Sequence, residues 1–231
     1  FKGRYVLECG CGAGPDTEVL LKLGAKVLAV DLTNLETAKN NIGNNANVLF
    51  LQSSIIDLPL RKNSFDIVYC HRVLQHTPNP EETLDYILQF VKDEGAVFIH
   101  SYSDHPVQMF NWKYIMRPLT CRLNPEFLYS IIKFNLKPLF YFTHLTNKFR
   151  IGRIVNKLFI PLINYSHLAE YKDFPIDFLM EYSLHDTFDA LSPKYDKPIK
   201  LKVMHKLAEK HLKMKYEIIK NTRVTLLRTI V

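Results

Sequence analysis

No stretch of this 231-residue chain approaches the roughly 18 consecutive apolar residues of a membrane-spanning helix. The opening FKGRYVLE lacks the apolar core of a secretory signal, so a soluble chain is expected. Cysteine occurs only at Cys9, Cys11, Cys70 and Cys121. That is too few for a disulfide framework in a chain of this size, and two of the four lie in a glycine turn where bridging geometry is poor. A reducing cytoplasm is therefore the expected setting. Internal repeats and low-complexity tracts are missing, which excludes solenoids and disordered arrays. Tryptophan occurs once, at Trp112, and glycine only eight times, yet three glycines crowd into five positions near the start.

What is present suits one sizeable core: 47% of the residues are hydrophobic. The formal net charge of +7 hides an asymmetry. Residues 1–101 hold nine Lys and Arg against twelve Asp and Glu, and residues 102–231 hold 21 against 11. The basic second half points to an anionic surface or an anionic substrate; a solvated, lysine-rich face is the plain alternative.

Short β-like runs alternate with helical patterns over the first hundred residues, the signature of βαβ units on a parallel sheet. Strands are predicted at Tyr5–Glu8, Lys26–Asp31, Val48–Gln52, Phe65–Tyr69 and Ala96–Ser101. Helices are predicted from Pro15 to Leu23, Asn34 to Asn41 and Pro80 to Val91, with Asp93-Glu94-Gly95 as a turn. From Tyr102 to about Pro198 the period-2 runs stop and aromatic residues mix with Lys, Arg and Pro, which reads as a helical insertion with helices near Phe127–Phe134 and Ile151–Ile163. A helix over Ile199–Leu212 and a strand pair joined through Asn221-Thr222 close the chain. The expected domains are thus 1–101 with 199–231, and an insertion over 102–198 that acts as a substrate lid.

The stretch VLECGCGAGPDT carries the chemistry. A strand that ends in an acid, then glycines that let backbone approach a ligand, then a helix N-terminus, is how a doubly wound sheet binds an adenosine-containing cofactor. Asp31 supplies a second acid at the end of the next strand, placed to accept ribose hydroxyls. The dinucleotide fingerprint G-x-G-x-x-G is broken, because Gly14-Pro15 brings the third glycine one residue early. Cys9-x-Cys11 also admits a metal or redox reading. No second cysteine pair and no matching histidine spacing supports it, so spacer cysteines and no metal are expected.

The arrangement E-x-G-x-G-x-G (Glu8, Gly10, Gly12, Gly14) resembles the first motif of class I S-adenosylmethionine-dependent methyltransferases. VLAVDLTN is similar to their second strand with its ribose-binding acid. SFDIVYCHRVLQHTPNPEETL is similar to the strand-four segment of the ubiquinone/menaquinone-biosynthesis-like small-molecule subgroup (methyltransferase type 11), and GAVFIHSY to strand five. The resemblance implies an α/β, Rossmann-like doubly wound fold: a seven-stranded, mostly parallel sheet with a helical insertion after strand five. It implies S-adenosylmethionine as cofactor, S-adenosylhomocysteine as product, and a small-molecule acceptor such as a lipid, quinone, sugar or secondary metabolite. Glu8 would sit near the methionyl amino group. Gly10, Cys11, Gly12 and Gly14 would offer backbone, Asp31 would hold the ribose, and Leu32 would pack on adenine. Family members often carry an Asp where this chain has Ser54, so Ser54 and Ile55 would replace that adenine contact. The resemblance further implies helices ahead of the first strand, which here starts close to Phe1, so an upstream segment or a more open cofactor site is expected.

His71 and His76 follow strand four, where cofactor and acceptor meet, and His71 would also touch the cofactor. Together with Asp186 they are the candidate bases, each alternatively a residue satisfied by a helix end. The segment EYSLHDTFDALSPKYDKP gathers His185, Asp186, Asp189 and Tyr195, either as a flap over the pocket or as a capped connector. Tyr102, Trp112 and Tyr114 would line an apolar acceptor pocket or simply form a helical core. Two other functions compete. A nucleic-acid methyltransferase suits the basic half but lacks an N-P-P-Y-like segment after strand four, and a non-catalytic partner protein of the same fold conflicts with the intact Glu8, Gly10, Gly12 and Asp31.

Overall fold

The computed structural model describes residues 1–33, 35–106, 111–221 and 223–230. They divide into two compact units, one of residues 1–105 with 195–231 and one of residues 106–194. The first holds the strands β1 (Tyr5–Cys9), β2 (Lys26–Asp31), β3 (Val48–Gln52), β4 (Phe65–His71), β5 (Val91–Tyr102), β6 (Tyr216–Lys220) and β7 (Val224–Thr229). Their order is β3-β2-β1-β4-β5-β7-β6; the first five are parallel, and β7 runs antiparallel to both β5 and β6.

In chain order the helices are α1 (Pro15–Lys22), α2 (Glu36–Ile42), α3 (Pro80–Ile87), α4 (Trp112–Thr120), α5 (Pro125–Thr146), α6 (Arg150–Phe159), α7 (Ile176–Leu191) and α8 (Leu201–His211). The central strands read as near-continuous apolar runs because both faces of the sheet are covered. Val6 packs with Leu20, Val27, Ala29 and Ala38, whereas its neighbour Leu7 packs with Val68, Leu84, Ile99 and Met204. Strand order reverses between β1 and β4, which opens a crevice at the carboxyl ends of those strands.

The main departures from the sequence pattern lie around β4 and β5. β4 runs to His71 rather than Tyr69, because its pairing with β5 continues to His71 opposite His100. The helix expected to reach Val91 stops at Ile87; a 3-10 turn over Leu88–Phe90 follows, and Val91 opens β5. Asp93-Glu94-Gly95 is no turn but the extra length of a bulge, since the pairs Phe65–Val91 and Ile67–Ala96 leave β5 longer than β4. Past β5, Ser103 bridges to Ile199 and carries the sheet unit beyond residue 101. Asn34 and Thr222, where a helix start and a turn were expected, lie outside the described residues.

The helical unit is built differently. Asn111 and Asn124 cap α4 and α5 through their side-chain carbonyls. α5 is far longer than Phe127–Phe134 and continues through Pro138. One core cluster joins Trp112, Leu128, Ile132, Leu184 and Leu191, and a second joins Phe140, Leu162 and Leu179. Trp112 is therefore a core residue. Polar ties supplement these clusters: Arg117 donates to the Ala190 and Pro193 carbonyls, Thr120 to the Leu191 carbonyl, and Asn164 to the Phe140 carbonyl and Thr143 hydroxyl.

Candidate functional site

At the carboxyl end of β1 the Glu8 side chain is buried, and its carboxylate accepts a 2.6 Å hydrogen bond from the Thr17 hydroxyl. Burial pushes its pKa up to about 7; Thr17 opposes the shift, and the nearby Asp16 and Asp31 reinforce it. The chain then turns through Gly10, Gly12 and Gly14, with φ of 82°, 53° and 88°, a region that favours glycine. A Cβ on Gly10 would lie 2.3 Å from Val73 Cγ2, so this glycine answers to packing. At Gly12 a Cβ would meet nothing within 4 Å, and backbone there faces open space.

Asp31 ties this turn to β2. One carboxylate oxygen accepts from the Gly12 amide at 2.8 Å, and the other accepts from the Thr33 amide at 2.9 Å and the Thr33 hydroxyl at 2.7 Å. The Gly10 and Cys11 amides donate to the Val30 carbonyl. Leu32, next in the chain, leaves 67% of its surface exposed, an unusual position for leucine. Ser54 is half-buried in the turn after β3 and accepts the Asp57 amide on its carbonyl, whereas Ile55 is packed into the core. The spacing Cys9-x-Cys11 puts the two thiols in different core clusters. Burial pushes the Cys9 pKa up and that of Cys11 to about 12, so both thiols stay protonated at neutral pH.

His71 closes β4, and its Nδ1 lies 2.7 Å from Asp16 Oδ2 in the first turn of α1. The hydrogen bond from His71 holds the Asp16 carboxyl below its usual range, against some desolvation. Beside it His100 meets the His71 ring edge-on, with centroids 4.8 Å apart. Its buried Nδ1 has no hydrogen-bond partner among the described residues. Desolvation, with the charges of His71 and Arg72, depresses its pKa to about 4, so His100 is neutral at physiological pH. Tyr69 stacks on Phe98, and its hydroxyl pKa is raised by burial and by Asp16. Arg72 adopts φ of 61°, the left-handed region that an arginine rarely occupies, and its amide donates to the His100 carbonyl.

The structure thus gathers Glu8, Gly10, Cys11, Gly12, Gly14, Asp31 and His71 around the carboxyl ends of β1, β2 and β4. His76 is committed at Nδ1 to the Tyr195 carbonyl, 3.0 Å away, with its ring against Tyr102. Asp186 belongs to the helical unit, where its Oδ2 accepts from the Tyr165 hydroxyl at 2.8 Å. Glu181, His185, Asp186 and Asp189 all sit on α7, so the stretch pictured as a flap is mostly helix. Sequence reasoning missed Asp16, Tyr69 and His100. The signal for His100 was available: FDIVYCH and AVFIH each carry a histidine at the same level of parallel neighbouring strands. Asp16 looked like an ordinary acid in a helix first turn.

The donor set suits a ligand with vicinal hydroxyls and an ammonium group: an acceptor-only carboxylate on Asp31, a buried acid at Glu8, and open backbone at Gly12. Residues 7–99 match the family described as a methyltransferase domain. The ubiquinone biosynthesis O-methyltransferase of Haemophilus ducreyi is 32% identical over 105 residues, 42% of this chain and 44% of that protein. Its counterpart from Coxiella burnetii is 33% identical over 101 residues, 42% of this chain and 43% of the relative. A solved S-adenosylmethionine-dependent methyltransferase from Mesorhizobium loti shows 23% identity over 48% of this chain and 51% of its own, with a TM-score of 0.43. The chain spans less than half the length of the curated relatives it matches.

Proposed function

We propose that this chain, whose residues 7–99 match a methyltransferase domain, transfers the methyl group of S-adenosylmethionine to a hydroxyl oxygen of a small-molecule acceptor. The acceptor class follows from the relatives, which are named as O-methyltransferases of ubiquinone biosynthesis. One observation carries the reading: Glu8, the open backbone of Gly12 and Asp31 stand together where the strand order reverses. Asp31 receives the ribose hydroxyls, Leu32 offers an exposed apolar side chain to the adenine, and Ser54 with Ile55 borders it. Glu8 faces the methionyl ammonium. A bound S-adenosylmethionine supplies an electrophilic methyl on a sulfonium.

His71 serves as the base. Its Nδ1 is engaged by Asp16, which fixes the ring and leaves Nε2 to take the acceptor's hydroxyl proton. His100, neutral beside it, adds no competing charge. The four free thiols suit a reducing, cytoplasmic setting. Calorimetry with S-adenosylhomocysteine tests the reading: the native chain binds and Asp31→Ala binds far more weakly, whereas a native chain that takes up neither S-adenosylhomocysteine nor S-adenosylmethionine overturns it.

A further inference from the structure

The helical unit turns some of its helices inside out. In α6, Asn156 is buried and donates to the Thr146 hydroxyl and the Asn147 side-chain carbonyl, both at 2.8 Å. Gly152 backs onto the same corner, where a Cβ would come within 2.0 Å of the Thr146 carbonyl oxygen. The helix therefore docks through an asparagine and a glycine. With 3.6 residues per turn, Ile151, Ile154, Val155 and Phe159 share one arc of roughly 140°, and Arg150, Arg153 and Lys157 an adjoining arc of roughly 60°. Both arcs face outward: Ile151 is 76% exposed, Phe159 69%, and all three cations are exposed.

α5 also exposes an apolar face, although the side it buries is mostly apolar too. Leu128, Ile132, Phe140 and Thr143 are buried on one side. On the other, Phe127, Ile131, Phe134, Tyr141, Phe142 and Leu145 form an exposed stripe roughly 100° wide along the helix. Phe134 is 85% exposed, and Lys137 borders the stripe. Charge singles out the same segment. Residues 111–157 hold nine Lys and Arg against Glu126 alone, whereas residues 158–194 hold two against six acids. A water-facing helix buries its apolar face and exposes its polar one. Here the apolar face is exposed with cations at its margin, which is the arrangement of a helix lying in the plane of an anionic lipid surface.

We propose that α6, with the exposed stripe of α5, is a docking surface for anionic phospholipid: Ile151, Ile154, Val155 and Phe159 enter the acyl boundary while Arg150, Arg153 and Lys157 meet the headgroup phosphates. The excess of cations over this segment selects a lipid surface over a second copy of the chain, whose like charge would repel it. This docking is independent of methyl transfer.

Co-sedimentation of the full chain with phosphatidylcholine vesicles, with and without phosphatidylglycerol, reads it directly. The native chain is expected to bind the anionic vesicles at least about ten-fold more tightly, and less so as salt rises. Arg150→Glu/Arg153→Glu/Lys157→Glu abolishes that preference. Ile151→Ser/Phe159→Ser leaves the charge unchanged and weakens binding about ten-fold through lost apolar insertion. A charge control on exposed residues of α8, Lys202→Glu/Lys206→Glu, stays within about two-fold of native. Equal binding to neutral and anionic vesicles overturns the proposal, as does a control as damaging as the α6 cation variant. A dimer in sedimentation equilibrium that Ile151→Ser/Phe159→Ser dissolves also overturns it, by assigning the surface to a second copy.

Discussion

The two units differ less in what they bury than in what they expose, since both hold apolar clusters and both bury polar side chains. In the sheet unit, aliphatic side chains from β1, β2, β4 and β5 fill two clusters, and the buried acid Glu8 stands out against them. In the smaller helical unit, Asn147, Asn156, Asn164, Thr143 and Arg117 are buried, whereas 17 large hydrophobic residues are exposed, against nine in the sheet unit among the described residues. Such a difference separates a unit organised around its own core and site from one whose surface is shaped for an outside apolar phase. Equivalent perturbations should therefore have different consequences in the two units.

The largest contrast comes from two glycines. Gly10→Ala drives a Cβ into Val73 at a left-handed φ, and Gly152→Ala drives one into the Thr146 carbonyl. Each change is expected to cost roughly 3 kcal/mol in denaturant melts. Only Gly10→Ala should also abolish S-adenosylhomocysteine binding, while Gly152→Ala should release α6 and leave that binding within about two-fold of native. Loss of cofactor binding in Gly152→Ala would break the contrast.

The same contrast explains what the sequence disclosed. β2 and β3 were legible to the residue, because both are short apolar runs closed by polar residues. That Glu8, the glycines and Asp31 meet was legible because a tight turn at positive φ after a strand restricts which residues can stand there. The partnership of Asp16 with His71 was not, since it joins residues 55 apart whose meeting depends on the register of β1 beside β4. Nor was α6 legible: a search for an apolar inward face assigns Ile151 and Phe159 to a core that Asn156 occupies instead.

Removing the Asp31 carboxylate tests the site with little change to the core, because Asp31 is only half-buried. Asp31→Ala should weaken S-adenosylhomocysteine binding roughly 100-fold by calorimetry, the effect of losing two charge-assisted hydrogen bonds. Glu8 adds a pH signature that the helical unit lacks the buried acid to give. Burial pushes its carboxyl pKa up to about 7 in the folded state, against an ordinary value of 4.5. The folded state thus binds the extra proton between those values, and stability declines as pH rises from about 4.5 to about 7, by up to roughly 3 kcal/mol. Glu8→Gln should flatten that decline, so that its melting temperature gains on the native chain at pH 8 but not at pH 5.

The smallest effect expected in the sheet unit is also the most specific. Asp16 makes no part of the cofactor cradle; its carboxylate engages His71 Nδ1 and stays ionised across the neutral range, because its pKa is lowered. If it orients the base, Asp16→Asn should slow methyl transfer to a phenolic acceptor roughly 10- to 100-fold with S-adenosylhomocysteine affinity unchanged. A structural role alone would predict lost stability with no change in the imidazole. The nitrogen resonances of His71 decide between the two. Native His71 should hold its proton on Nδ1, facing Asp16, and the variant should shift it toward Nε2, which removes the lone pair that accepts the substrate proton. An unshifted tautomer together with an unshifted rate would take Asp16 out of the mechanism and leave His71 to act without a partner.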